Sequence, residues 1–504
     1  MNHSGDFQFD DLQGLIRFGH GKLTDTCFLL LTINDAAAAK QWLHSAPINN
    51  ALAVAPKPDN VLQIAFTVEG LRALGLEETI IQHFSDEFIV GMSGDESRSR
   101  RLGDIDTNAP ERWDWGGNPE QLPHVLLLLY STKDGIPAWR KKLEDQLFSS
   151  AFQLIQQLPT RHIGDIEPFG FADGVSQPTI DWEHQQSTDK HQRNTYSNHL
   201  AVGEVVLGYA NEYQQYTPRP LISPQSDTLA AVLPNAEDQP DLKDFGRNGS
   251  YLVLRQLEQD VPGFWQFLDR ETGSVSTQRE QLAARMVGRH RDGSPLMPLS
   301  SDPIPGTSPN DTLNHFDYRA DPAGTRCPFG AHIRRANPRT ADLPPPVDGF
   351  FSWLKKNLGF GLKRPDEDLV ASTRFHRLLR RGRTYGSLLT PEEAIKPNAI
   401  KDERGLQFIC LVSNIARQFE FVQNAWMINS KFAGVQDERD PLLAHRLPLN
   451  NGDTTDQFNQ ADPAGPMHKT CDLPQFITVR GGAYFFMPGL SALKYLAGLP
   501  NKAR

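Results

Sequence analysis

The chain has 504 residues, of which 38% are hydrophobic and 22% charged, and its formal net charge is -10. That balance supports a packed core rather than a disordered chain. The acidic excess argues against nucleic acid as the main partner, because phosphate binding needs a basic face.

Cys27–Ile33 reads as a buried strand, followed by a helix over Asp35–His44 with Asp35 as its N-cap. Val61–Thr67 reads as a second strand, and Glu69–Gly75 as a short helix closed by a glycine. His124–Tyr130 is a third strand, and the amphipathic pattern predicts one long helix over Ala138–Leu158. The longest apolar runs fall far short of the ~20 residues that span a bilayer. The polar, acidic Met1–Asp11 lacks the basic and then apolar order of a secretory leader, so a cytoplasmic protein with no membrane partner is expected.

Asp181–His199 is polar, nearly devoid of apolar residues, and marks a linker. A second run of elements starts near Ala201. Gly249–Arg255 reads as a strand, Val261–Arg270 and Arg279–Val287 as helices, Gln407–Ser413 as a strand and Ile415–Ile428 as a helix. Phe476–Val479 and Tyr484–Met487 read as short strands flanking a turn at Arg480-Gly481-Gly482. The strand, helix and strand order of the first half recurs loosely, which predicts an α+β fold of two similar units, residues 1–199 and 200–504. Tyr213–Asp244 is proline-rich and extended. Asp342–Glu367 reads as an insertion, in which Phe350–Arg364 is apolar and basic.

Four cysteines without a C-x-x-C pair argue against a zinc ribbon or a disulfide framework. There is no HExxH, Walker A or G-x-S-x-G motif. Three other stretches carry chemistry. In Glu167-Pro-Phe-Gly-Phe-Ala-Asp-Gly174, Asp173 sits between Gly170 and Gly174 beside Phe171. Glycines allow close approach to a flat ligand, and a carboxylate there suits a general base; a simple glycine turn capped by Asp173 is the alternative. In Arg326-Cys-Pro-Phe-Gly-Ala-His-Ile-Arg-Arg-Ala-Asn-Pro-Arg339, His332 is followed by Arg334, Arg335 and Arg339. A neutral imidazole can bind haem iron and arginine forks suit carboxylates, while a structural histidine beside a basic loop is the plainer reading. Arg374–Arg383 holds five arginines, and on a helix Arg377 would share a face with Arg380 or Arg381.

Taken in order, a Gly-x-x-Asp-Gly motif, the His332 segment and Leu378-Leu-Arg-Arg-Gly-Arg-Thr-Tyr-Gly386 resemble the dye-decolorising peroxidase family. Leu12–Gly14, Arg247–Val253, Met286–Arg289, Arg417–Val422 and Val479–Gly482 are similar to segments of its larger bacterial members. The resemblance implies two ferredoxin-like units, each a four-stranded antiparallel sheet with flanking helices, and one haem b per chain held in the second. It implies His332 as the proximal iron ligand, Asp173 and Arg380 as the catalytic pair, Arg334 as a propionate partner, and Gly170, Phe171 and Gly174 beside the cofactor. Arg381 is the near rival of Arg380. It further implies hydrogen peroxide as oxidant and dyes, phenolics or similar one-electron donors as reductants, with an acidic optimum if Asp173 is the base.

In relatives an acid often precedes the segment matching Arg417–Phe421, and here that place is Ala416; Glu420 or a backbone carbonyl is then expected to hold the far side of the His332 ring. Trp353, Tyr385 and Trp426 are candidate surface oxidation sites by residue type alone. Two other functions use the same residues: a haem storage or iron-release protein with incidental peroxidase activity, or a structural protein without haem. No signature in the sequence sets an oligomeric state.

Overall fold

The structure is a computed structural model that describes residues 7–183, 185, 196–301, 304, 306–307, 311–340, 373–446 and 454–501. The predicted insertion at 342–367, Trp353 within it and most of the linker stretch lie outside the described residues.

Nine strands form one sheet: β1 (Asp25–Ile33), β2 (Asn60–Phe66), β3 (Val125–Ser131), β4 (Phe152–Leu158), β5 (Ser250–Gln259), β6 (Leu379–Arg380), β7 (Arg383–Tyr385), β8 (Gly405–Val412) and β9 (Ile477–Met487). The order is β6-β8-β5-β9-β2-β3-β1-β4, with β7 also paired to β8. All these pairings are antiparallel. With β6 and β7 counted as one interrupted edge strand, since both pair with β8, each half repeats one order: its second, third, first and fourth strands lie side by side. The halves form two ferredoxin-like α+β units, joined where Phe486 of β9 pairs with Phe66 of β2.

Successive strand side chains point to opposite faces. Cys27, Leu29 and Leu31 of β1 accordingly enter one core, while Phe28 and Leu30 enter the other. Every residue of β3 is buried, which explains its unbroken apolar run. Burying such side chains stabilises the fold by about 1.5–3 kcal/mol each. Asp35 caps the helix Ala36–Ser45 by accepting from the Ala37 and Ala38 amides, as the sequence predicts.

Three local expectations are corrected. The predicted helix Ala138–Leu158 is two short helices, Ile136–Leu143 and Gln146–Ala151, followed by β4. Asp145 restarts the second helix by capping the Phe148 amide, and Phe152–Leu158 is drawn into the open edge of β1. The Arg480-Gly481-Gly482 turn is instead a bulge within the continuous strand β9. A Cβ at Gly481 would come within 2.3 Å of Trp115 Nε1, so glycine is needed for close packing and not for a reversal. Finally, Arg374–Arg383 is a single 3-10 turn (Thr373–His376) leading into β6 and β7, not a helix.

No helix among the described residues is long and apolar enough to cross a membrane. All four cysteines are free thiols.

Candidate active site

A cavity of about 270 Å³ lies against the second unit, and the described residues bring Asp173, His332 and Arg380 to its wall. Phe169, Phe171, Leu257, Val422 and Met427 line its apolar part.

His332 opens the short helix His332–Ala336. Arg335, fully buried, ties that helix down by donating to the carbonyls of Trp426, Asn429 and Glu438. The ring nitrogen Nδ1 of His332 lies 3.0 Å from Asp440 Oδ2. Nε2 has no hydrogen-bond partner among the described residues, and 32% of the side chain is exposed, toward the cavity. The Asp440 carboxylate is completely buried, and its other oxygen accepts from the Leu442 and Leu443 amides at 3.0 and 2.7 Å. Burial disfavours the charge of both groups, but each offsets the other. His332 is raised above an ordinary imidazole, and Asp440 is held below the usual carboxylate range.

The far side of the His332 ring is thus held by Asp440, and the expectation of Glu420 or a backbone carbonyl is corrected. Glu420 is engaged elsewhere: it pairs with Arg98 at 2.9 Å and accepts from Tyr484 Oη at 2.9 Å. Sequence reading missed Asp440 because it lies 108 residues from its partner, and no spacing rule links them.

Asp173 sits on the Gly170–Gly174 loop. Gly170 and Gly174 have φ of 95° and 75°, conformations that favour glycine. Phe171 and Gly174 line the cavity, whereas Gly170 turns the chain and packs against Arg291. Glu167 folds under the loop and accepts from the Phe169 amide (2.9 Å), the Phe171 amide (3.0 Å) and Gln259 Nε2 (2.8 Å). Burial pushes its carboxyl up to about 7, against those three donors.

Arg380 Nη1 lies 3.6 Å from Asp173 Oδ1, and both side chains are partly open to the cavity. The rival Arg381, in the break between β6 and β7, donates instead to the Leu15 and Ile16 carbonyls.

Arg334 is not at the cavity, which corrects its expected role. Asp321 and the Cys327 carbonyl take its guanidinium, between the rings of Tyr318 and Phe329. Instead Arg289, Arg339 and Arg377 reach the wall. None of the three has a carboxylate partner among the described residues; they donate to carbonyls, Ser176, Asn198 and Asn314. Burial and the neighbouring Arg339 lower Arg289 to about 10, a sign of crowded positive charge. Of the aromatic candidates, Tyr385 is buried and donates to the Leu257 carbonyl, and Trp426 is buried against His376 and Phe421.

No family model matches the chain. It is 29% identical to the dye-decolorizing peroxidase msp1 of Mycetinis scorodonius, over 97% of this chain and 88% of that protein. It is also 29% identical to the multifunctional dye peroxidase DyP2 of an Amycolatopsis species, over 86% of this chain and 82% of that protein. A crystal structure of a decolorizing peroxidase from Auricularia auricula-judae superposes with a TM-score of 0.69, covering 98% of this chain and all of that one at 26% identity. Sequence and fold both resemble those of dye-decolorizing peroxidases from end to end.

Proposed function

We propose that this protein is a haem b peroxidase, one haem per chain, that reduces hydrogen peroxide and oxidises dyes and phenolic donors, with His332 as iron ligand and Asp173 and Arg380 as its catalytic pair. The observation that carries the reading is an imidazole with one nitrogen held by a buried carboxylate and the other left open to an apolar cavity.

The donor set fits haem. His332 Nε2 would hold the iron, and Phe171 and the glycine loop would pack beside the macrocycle. Arg289, Arg339 and Arg377, which form no ion pair with a carboxylate among the described residues, would hold its propionates. When bound, haem supplies an iron that binds peroxide and exchanges electrons with it and with the donor. The protein moves the proton: Asp173 Oδ1 accepts it from the inner peroxide oxygen and returns it to the outer one. The Arg380 guanidinium stabilises the negative charge that develops as the O–O bond breaks. Four unpaired thiols fit a cytoplasmic setting.

The test is the absorption spectrum of the purified protein with a peroxide-dependent dye assay. A Soret band and rapid dye turnover are expected, and both should disappear in His332→Ala. A colourless protein, or a Soret band with slow turnover and bleaching, would refute the peroxidase reading.

A further inference from the structure

We propose that Glu167 is the positioning residue of the site: its carboxylate clamps the Phe169–Gly174 loop to the central sheet and thereby sets Asp173 opposite Arg380. The proposal rests on the reading of Asp173 given above and deepens it.

The Phe169–Gly174 loop is bonded from several sides, among them Trp265 Nε1 donating to the Phe169 carbonyl at 3.1 Å. Gly170 and Gly174 adopt left-handed conformations, and a Cβ at Gly174 would meet nothing within 4 Å. Two cross-links come from backbone outside the turn: the Ala172 amide donates to Arg291 and the Asp173 amide to Asp165. Within the turn, the amides of Phe169 and Phe171 find their acceptor in Glu167, one on each carboxylate oxygen. The main chain of the same residue closes the turn from both ends, since the Gly170 amide donates to the Glu167 carbonyl and the Glu167 amide to that of Phe171.

The third donor decides what the clamp is fixed to. Gln259 is the last residue of β5, paired with Ile477 of β9, and its amide donates to the Arg404 carbonyl. Its side chain donates to Glu167 Oε2. Glu167 thus joins the glycine-containing loop to the central sheet. Only a carboxylate accepts on both oxygens; a glutamine would turn an NH₂ group toward one of the three donors and leave an N–H unpaired. Losing a buried bond of this kind costs enough for about a tenfold change in local opening, or more.

The experiment uses the holoenzyme above neutral pH with three variants. Glu167→Gln should speed hydrogen–deuterium exchange in the 167–174 segment about tenfold, with other segments unchanged. It should also lower kcat/KM for peroxide about tenfold, with the KM for the reducing donor unchanged. Gln259→Ala, which removes the sheet tether and keeps the charge, should give a smaller acceleration in the same segment, and stands in if Glu167→Gln does not fold. Unchanged exchange in 167–174 would overturn the clamp. Faster exchange with peroxide kcat/KM within twofold of wild type would overturn the positioning role. Asp173→Asn separates the two readings: if it leaves peroxide kcat/KM unchanged, the role of Asp173 fails, while the exchange measurement still decides the clamp.

Discussion

Asp440→Asn removes one charge and almost no volume. The substitution keeps an oxygen for the Leu442 and Leu443 amides, which now bond to Oδ1 at 3.0 and 2.7 Å, so the loop should hold its shape. What disappears is the anion 3.0 Å from His332 Nδ1. A hydrogen bond to a charged partner contributes about 1.5–3 kcal/mol. At 1.4 kcal/mol per factor of ten, that is roughly 10- to 150-fold, in line with the ~10–100-fold usual for a residue behind a metal ligand. Less electron density would reach the iron, and the same energy read as a one-electron potential is an increase of about 60–130 mV, from ~59 mV per factor of ten. The assays are titration of the apoprotein with haemin and a spectroelectrochemical reduction of the holoprotein. Weaker haem binding and a raised potential are expected. Unchanged values of both would refute the coupling of Asp440 to the iron through His332.

Asp173→Asn should slow the reaction with peroxide by about 10²–10⁴, and Arg380→Leu by about 10²–10³, in stopped-flow mixing with peroxide. Arg381→Leu should leave that step alone and lower stability by about 1.5–3 kcal/mol, because its buried guanidinium holds the Leu15 and Ile16 carbonyls; a slowed peroxide step would contradict the assignment of Arg380. Gly481→Ala should destabilise by about 1–3 kcal/mol in urea denaturation, since the added methyl meets the Trp115 ring. His445 is buried, and burial with Arg439 and Arg446 nearby lowers its pKa to about 4. A histidine whose folded pKa is depressed stabilises fully above its unfolded value and loses that contribution as pH falls toward the folded one. Stability should therefore decline between about pH 6.5 and 4, by about 3 kcal/mol from this residue. Denaturation midpoints for His445→Gln should vary less over that window, and equal slopes would refute the assignment.

The sequence by itself determined the elements whose signals are local. Unbroken apolar runs marked β1 and β3 because both faces of those strands are covered, and Asp35 marked a helix start because the cap acts over three residues. The Gly-x-x-Asp-Gly turn and His332 were legible as residue types in a fixed order. Tertiary structure decided everything that depends on pairing across distance. Phe152–Leu158 carries a helix-compatible pattern and becomes a strand only because β1 offers an edge. Gly481 reads as a turn and packs under Trp115 instead. Arg334 and Arg339 stand five residues apart with the same charge, yet Asp321 captures one and the cavity wall receives the other. Asp440 reaches His332 only because Arg335 ties the helix to the 426–438 segment, whose continuation carries the carboxylate. Local patterns encode which groups are present; long-range hydrogen bonds and strand alternation select which of them meet.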